Sequence, residues 1–104
     1  MRGDVYELKA PRDARGHEQR GNRFAVVVQS DLLPLSTWLV APTSTSARPT
    51  SFRPEVEVDG KSTLVLVEQI AAIDPQRLGR LVGHLTQHEL TEIDEAIRVV
   101  LHLA

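Results

Sequence analysis

The chain has no cysteine, which excludes a disulfide scaffold, a thiolate zinc site and cysteine nucleophilic chemistry, and says little about compartment. Aromatic side chains make up only 4% of it: Tyr6, Phe24, Trp38 and Phe52. Any base-stacking surface must therefore be built from very few rings. No apolar run approaches the roughly 20 residues that span a bilayer, and the stretch from Met1 to Glu7 lacks the apolar core of a signal peptide. The G-x-x-x-x-G-K-[ST] phosphate loop and the G-x-S-x-G nucleophile elbow are missing too. Of the histidines, His17, His84, His88 and His102, only His84 and His88 stand four apart, and they straddle a predicted helix start. No metal-ligand spacing results. The expectation is a soluble cytoplasmic protein with no membrane segment, no metal and no other cofactor.

What remains is a chain of 104 residues, 41% hydrophobic, long enough for one small domain over residues 1–104. Its net charge of −2 hides a gradient. Residues 1–54 carry eight basic and five acidic side chains, net +3, and residues 55–104 carry four and nine, net −5. Lys9, Arg12, Arg15, Arg20 and Arg23 form a basic cluster that suits either a phosphate partner or a solvated loop. The Ser/Thr-rich segment Thr43–Ser51 reads as a polar loop.

Hydrophobic periodicity outlines the elements. Val5–Leu8 is a strand candidate, and Phe24–Val28 is a continuous apolar run of the kind buried on both faces of a sheet. Trp38–Ala41 is another apolar run, ended by Pro42. Glu55–Val58 alternates, Asp59-Gly60 supplies a two-residue hairpin turn, and the return strand runs from Ser62 towards Ile70. A further strand fits between Leu78 and Leu85. Thr86 and Glu89 then make a capping box flanked by the staple Leu85/Leu90, and Leu90, Ile93, Ile97, Val100 and Leu101 form one helical stripe, with Asp94 and Arg98 spaced to pair. The fold class expected is mainly β with a terminal helix, a small, strongly curved barrel on which that helix packs.

One arginine is placed distinctively. Arg23 leads directly into the buried strand, so its guanidinium is held at a fixed place, where it suits a developing phosphate charge or a strand-edge pair with Glu18.

These residues resemble a family. Arg2-Gly3-Asp4-Val5-Tyr6, Gly16-His17-Glu18-Gln19 and Arg23 before Val26-Val27-Val28 look like the opening of a MazF/PemK-type toxin. Val40-Ala41-Pro42-Thr43-Ser44, Leu66-Val67-Glu68-Gln69-Ile70, Ile73-Asp74, Arg77-Leu78-Gly79 and Glu92–Ile97 resemble its later blocks in order. The resemblance implies an SH3-like barrel (MazF/CcdB-like), usually a homodimer, acting as a metal-independent endoribonuclease on single-stranded RNA. It also implies a cognate, MazE-like antitoxin whose C-terminal segment occupies the RNA groove.

The family's catalytic arginine falls on Arg23 and its catalytic threonine on Ser44, which Thr43 and Thr45 flank. Phe24 stands where proline usually follows the arginine, restoring a backbone N–H and adding bulk beside the site. Strand alternation sets Thr43 and Thr45 on the face opposite Ser44. Substrate contacts are expected from Arg15, His17, Glu18 and Gln19 in the first loop and from Thr43, Thr45, Phe52 and Arg53 around the second, where Arg48 adds charge. Phe52 is the stacking candidate, Trp38 a core residue, and His17 either an acid/base or a loop residue. Glu68 and Gln69, at the end of a buried strand, serve either the dimer groove or the strand end. The competing reading is a CcdB-like toxin without enzymatic activity, which poisons a protein target such as gyrase through its terminal helix; a degenerate inactive module is a third.

Overall fold

The computed structural model describes residues 1–9 and 23–104. Among the described residues seven strands are formed: β1 (Asp4–Leu8), β2 (Phe24–Val27), β3 (Trp38–Ser44), β4 (Glu55–Val58), β5 (Lys61–Val65), β6 (Ala71–Ile73) and β7 (Leu78–His84). An α-helix, α1 (Gln87–Leu101), follows them. The pairing is antiparallel throughout, in the order β4-β5-β3-β2-β1-β7, with β6 added to β3. The sheet curls into a half-barrel with α1 packed on it, which is the expected mainly β architecture.

The continuous apolar run of β2 is explained by two clusters on opposite faces of the sheet. Val26 joins Val5, Ala41, Val56, Val65 and Val67 in the main core, which is closed by Ile93 and Ala96 of α1. Ala25 and Val27 face the other way, with Val40 and Leu78 under Tyr6 and Trp38. Trp38 lies in this second cluster, its ring 5.9 Å from that of Tyr6. A strand between two cores cannot alternate, and β2 does not.

The hairpin forms at Asp59-Gly60, both with positive φ (54° and 77°), pairing Val58 with Lys61. Both central residues of a type I′ turn require that region. The strand expected to end before Pro42 instead continues to Ser44. Pro42 sits where β3 exchanges β6 for β5 as its partner, and its carbonyl accepts from the Leu66 N–H at 2.8 Å. The missing proline donor falls in that changeover and removes no ladder bond. The return strand is also shorter than expected. It stops at Val65, and Val67–Gln69 forms a 3-10 turn before the short β6.

The helix begins as its capping box requires. Thr86 Oγ1 accepts from the Glu89 N–H at 3.1 Å, and Glu89 Oε1 accepts from the Thr86 N–H at 2.9 Å. His102, with φ 55°, ends the helix, its N–H and that of Leu103 satisfying the last carbonyls. Ala96 rather than Leu101 completes the buried stripe; Leu101 is 60% exposed. Asp94 pairs with Arg2 and Arg98 with Glu95, so the expected Asp94–Arg98 pair is replaced by an N-terminal clamp.

Glu89 has a second task. Its Oε2 accepts from the Glu57 N–H at 2.9 Å, tying the helix start to β4, which ends the strand order. Burial would raise the Glu89 pKa, but the N–H groups of Thr86 and Glu57 outweigh it and hold the value below the ordinary 4.5. A depressed carboxylate stabilises the folded state fully above its unfolded pKa and progressively less as pH falls through its folded one. Glu89→Gln should therefore cost about 1 kcal/mol at neutral pH, roughly 4–8 °C in Tm. The gap to wild type should narrow below pH 4.5, which thermal melts across pH 3–7 will check.

Candidate functional site

Arg23 and Ser44 occupy the fork at which β2 and β3 part. Their ladder pairs Val27 with Val40, Val26 with Ala41 and Ala25 with Pro42. At the next step a side chain joins the two strands. Thr43 Oγ1 accepts from the Phe24 N–H at 3.2 Å and donates to the Phe24 carbonyl at 3.3 Å. Beyond that bridge β3 turns to β5, pairing Ser44 with Leu64. By alternation Arg23 shares the face of Ala25 and Val27, and Ser44 that of Val40, both opposite the main core.

This geometry reassigns Phe24. Its ring packs against the main core, on the side away from Arg23, so it adds no bulk at the site. The N–H that proline would lack is bonded to Thr43. Thr43 itself is only 2% exposed, its hydroxyl spent in both directions on the Phe24 backbone. Thr43→Val keeps the shape and leaves a buried N–H without an acceptor, which should cost about 1–3 kcal/mol in urea unfolding.

Arg23 is anchored through its main chain, its carbonyl accepting from the Leu8 N–H at 2.9 Å. Its guanidinium is half-buried, and Nε is fully buried with no hydrogen-bond partner among the described residues. A buried guanidinium N–H left unpaired is costly unless a ligand or another segment completes it. Ser44 Oγ accepts from the N–H groups of Ser46 (3.2 Å) and Ala47 (3.0 Å). With its lone pairs so engaged, the hydroxyl directs its proton towards Ser46 Oγ, 3.4 Å away. Ser44 and the exposed Thr45 line a groove of about 270 Å³ with Ala47, Pro49, Glu55 and Leu64; Arg23 is not among its lining residues.

The other expected contacts divide. Arg15, His17, Glu18 and Gln19 lie outside the described residues. Arg53 and Glu68 meet each other, with Arg53 Nε and Nη2 donating to Glu68 Oε2 at 3.0 and 2.6 Å. The Arg53 bond holds the Glu68 carboxyl below its usual range, and Glu68 in turn raises Arg53. Phe52 packs on the main core with the Arg53 guanidinium 5.7 Å from its ring centre. Glu68 and Gln69 are on the 3-10 turn, not at a strand end. Sequence spacing carried no signal for the Arg53–Glu68 and Thr43–Phe24 contacts, which join separate elements.

Elsewhere, His84 Nδ1 is 2.8 Å from Asp4 Oδ1. Burial opposes the effect, but that bond and the Met1 ammonium lower the Asp4 pKa. Among the described residues no three His, Asp or Glu side chains converge as metal ligands, and no helix is long and apolar enough to cross a membrane.

Residues 1–101 match the model of the PemK-like, MazF-like toxin of type II toxin–antitoxin systems. A candidate toxin of Mycobacterium tuberculosis is 42% identical over 104 residues, covering 99% of this chain and 98% of the relative. Endoribonuclease EndoA of Bacillus subtilis is 33% identical over 110 residues, covering 98% and 94%. Among solved structures, a mycobacterial endoribonuclease in complex with its cognate antitoxin superposes with a TM-score of 0.82 at 17% identity, covering 100% of this chain and 96% of that one. Matched over nearly its whole length by the family model and by both relatives, the chain belongs to the PemK-like, MazF-like toxins of type II toxin–antitoxin systems.

Proposed function

We propose that the chain is the toxin of such a pair, a sequence-selective endoribonuclease that cleaves single-stranded RNA without a metal and so inhibits translation and growth. The observation that carries this reading is the fork itself: an anchored, half-buried arginine whose Nε has no partner among the described residues on one strand, and on the next a serine hydroxyl held in place by two backbone N–H groups. Membership of the family and the relative named as an endoribonuclease support it.

In this mechanism the 2′-OH of the RNA attacks the adjacent phosphorus, the bond to the 5′-oxygen breaks, and a 2′,3′-cyclic phosphate and a 5′-OH result. The 2′-OH proton is lost to a base, and the leaving oxygen gains one. Arginine stays protonated, so Arg23 acts by stabilising charge on the non-bridging oxygens of the phosphorane. Ser44 donates a hydrogen bond to the same phosphate. His17 is the candidate for proton transfer, Glu18 orients Arg23 or meets RNA, and Arg15, Gln19, Thr45 and Gln69 contribute substrate contacts. Thr43 acts through the strand register. The basic front half suits RNA and equally the C-terminal segment of a cognate antitoxin, which covers the same groove. The protein acts in the cytoplasm as a homodimer.

Purified protein incubated with total RNA in EDTA should yield discrete fragments with 5′-OH ends. Loss of activity in EDTA would point to metal-dependent chemistry. The apolar end of α1, where Val99, Leu101 and Leu103 are each more than half exposed, favours the alternative of a CcdB-like toxin that binds a protein target. Intact RNA after the incubation would select that alternative.

A further inference from the structure

Arg53 and Glu68 are fifteen positions apart and close a loop that begins at Ser44. Arg53 uses three donors to do so. Nε and Nη2 take one oxygen of Glu68, and Nη1 donates to the Arg48 carbonyl at 2.9 Å, in the middle of the loop. The ring of Phe52, seated on the main core, lies against the guanidinium. Glu68 stands on the 3-10 turn that opens with the buried Val67, so its carboxylate projects from a fixed base. The loop therefore has one anchor at each end. At its start, the N–H groups of Ser46 and Ala47 bind Ser44 Oγ, and at its end Arg53 ties Arg48 to Glu68.

The geometry points to Arg53 and Glu68 as a pair of positioning residues that hold the 44–53 loop against the 3-10 turn and thereby fix the Ser44 hydroxyl, rather than as groups that contact RNA. The inference rests on the assignment of Ser44 to the reacting phosphate. Its physical content is that Ser44 keeps one orientation only while the amides of Ser46 and Ala47 stay where they are. Those amides belong to a polar stretch, Thr45–Ser51, with no apolar side chain larger than Ala47 and Pro49 to seat it. The fork of Arg53 supplies what packing does not. A point charge would not replace it, because lysine has no planar set of donors to span a carboxylate and a carbonyl together.

The two roles give opposite signs. A carboxylate that competes with phosphate for Arg53 should, when neutralised, release the guanidinium and tighten RNA binding. A carboxylate that positions the loop should, when neutralised, slow the chemical step. The test uses Glu68→Gln, Arg53→Lys and their double variant, with kcat and KM measured on an RNA oligonucleotide carrying a mapped cut site. The Kd is read on the same oligonucleotide with a 2′-deoxy nucleotide at the cut, and amide exchange at Ser46 and Ala47 is followed by NMR. We expect kcat to fall about 10-fold in each single variant, with KM and Kd within about twofold and exchange at both amides accelerated. The double variant should be no worse than either single one, as for groups acting as a unit.

Tighter binding by Glu68→Gln would overturn the inference, as would unchanged exchange. So would full activity in Arg53→Lys, or a slope of log Kd against log salt reduced by about one in that variant, the mark of a lost phosphate contact. If the wild-type protein cleaves no RNA, the ribonuclease reading fails; the exchange measurement, which needs no activity, still decides whether the pair holds the loop.

Discussion

Arg23→Ala should reduce RNA cleavage by about 10³-fold in kcat and leave the protein folded. The two halves of that expectation have separate causes. Stability is spared because Arg23 is tied to β1 through its carbonyl, which alanine retains, and because its Nε has no partner to lose among the described residues. Activity is lost because a guanidinium fixed at the end of a two-faced buried strand is already oriented when charge develops on the phosphorane. Solvent cannot supply a cation held in that way. Arg23→Lys should recover only part of the rate, since the charge returns without the planar fork. Ser44→Ala removes one hydrogen bond and should cost less, about 10²-fold. Initial rates on a defined oligonucleotide, with thermal melts alongside, check all three. An alanine variant within tenfold of wild type would remove Arg23 from the chemistry.

The parts of the fold legible in the sequence were those set by neighbours along the chain. A type I′ turn needs two positive φ values, and Asp59-Gly60 is a pair that accepts them. The capping box is written in Thr86 and Glu89, three residues apart, and both of its bonds form. The run Phe24–Val28 announced burial on two faces because neither face could be polar. What was not legible depended on residues brought together from a distance. Nothing local distinguishes Pro42 as a strand terminator from Pro42 at a change of partner; the difference lies in Leu66, which bonds to its carbonyl. β6 has only three residues, two of them alanine, and exists because β3 offers an edge.

The candidate site follows the same division. Arg23 stood out by its place before a buried strand, and Ser44 was marked by the family resemblance. The roles of their neighbours needed the register. Thr43 and Ser44 are adjacent hydroxyls in the sequence and serve different ends: one is closed onto Phe24, the other opens onto a groove. Phe24, which in sequence departs from the family beside the arginine, is a core residue whose N–H completes the Thr43 bridge. Arg53 and Glu68 are opposite charges that spacing does not pair, and folding does.

An RNA in which the nucleotide 5′ of the cut carries 2′-deoxyribose should not be cleaved at that position, and should still bind. The nucleophile in the proposed reaction belongs to the substrate, so removing one oxygen removes the reaction. The described site has little to put in its place. Ser44 Oγ already accepts two backbone N–H groups, which withdraw the electron density that attack on phosphorus would need, and Thr43 is buried with its hydroxyl engaged. Binding loses only one hydroxyl among many contacts, so the modified RNA should compete with cleavable RNA at a Ki within about threefold of the substrate Kd, equivalent to less than about 1 kcal/mol. Competition assays and end analysis of the cleaved all-ribose control, whose 5′ fragment should carry a 2′,3′-cyclic phosphate, test both statements together. Cleavage of the deoxy substrate at an undiminished rate would require a water or protein nucleophile. Arg23 would then stabilise a different phosphorane, and Ser44 would need another role.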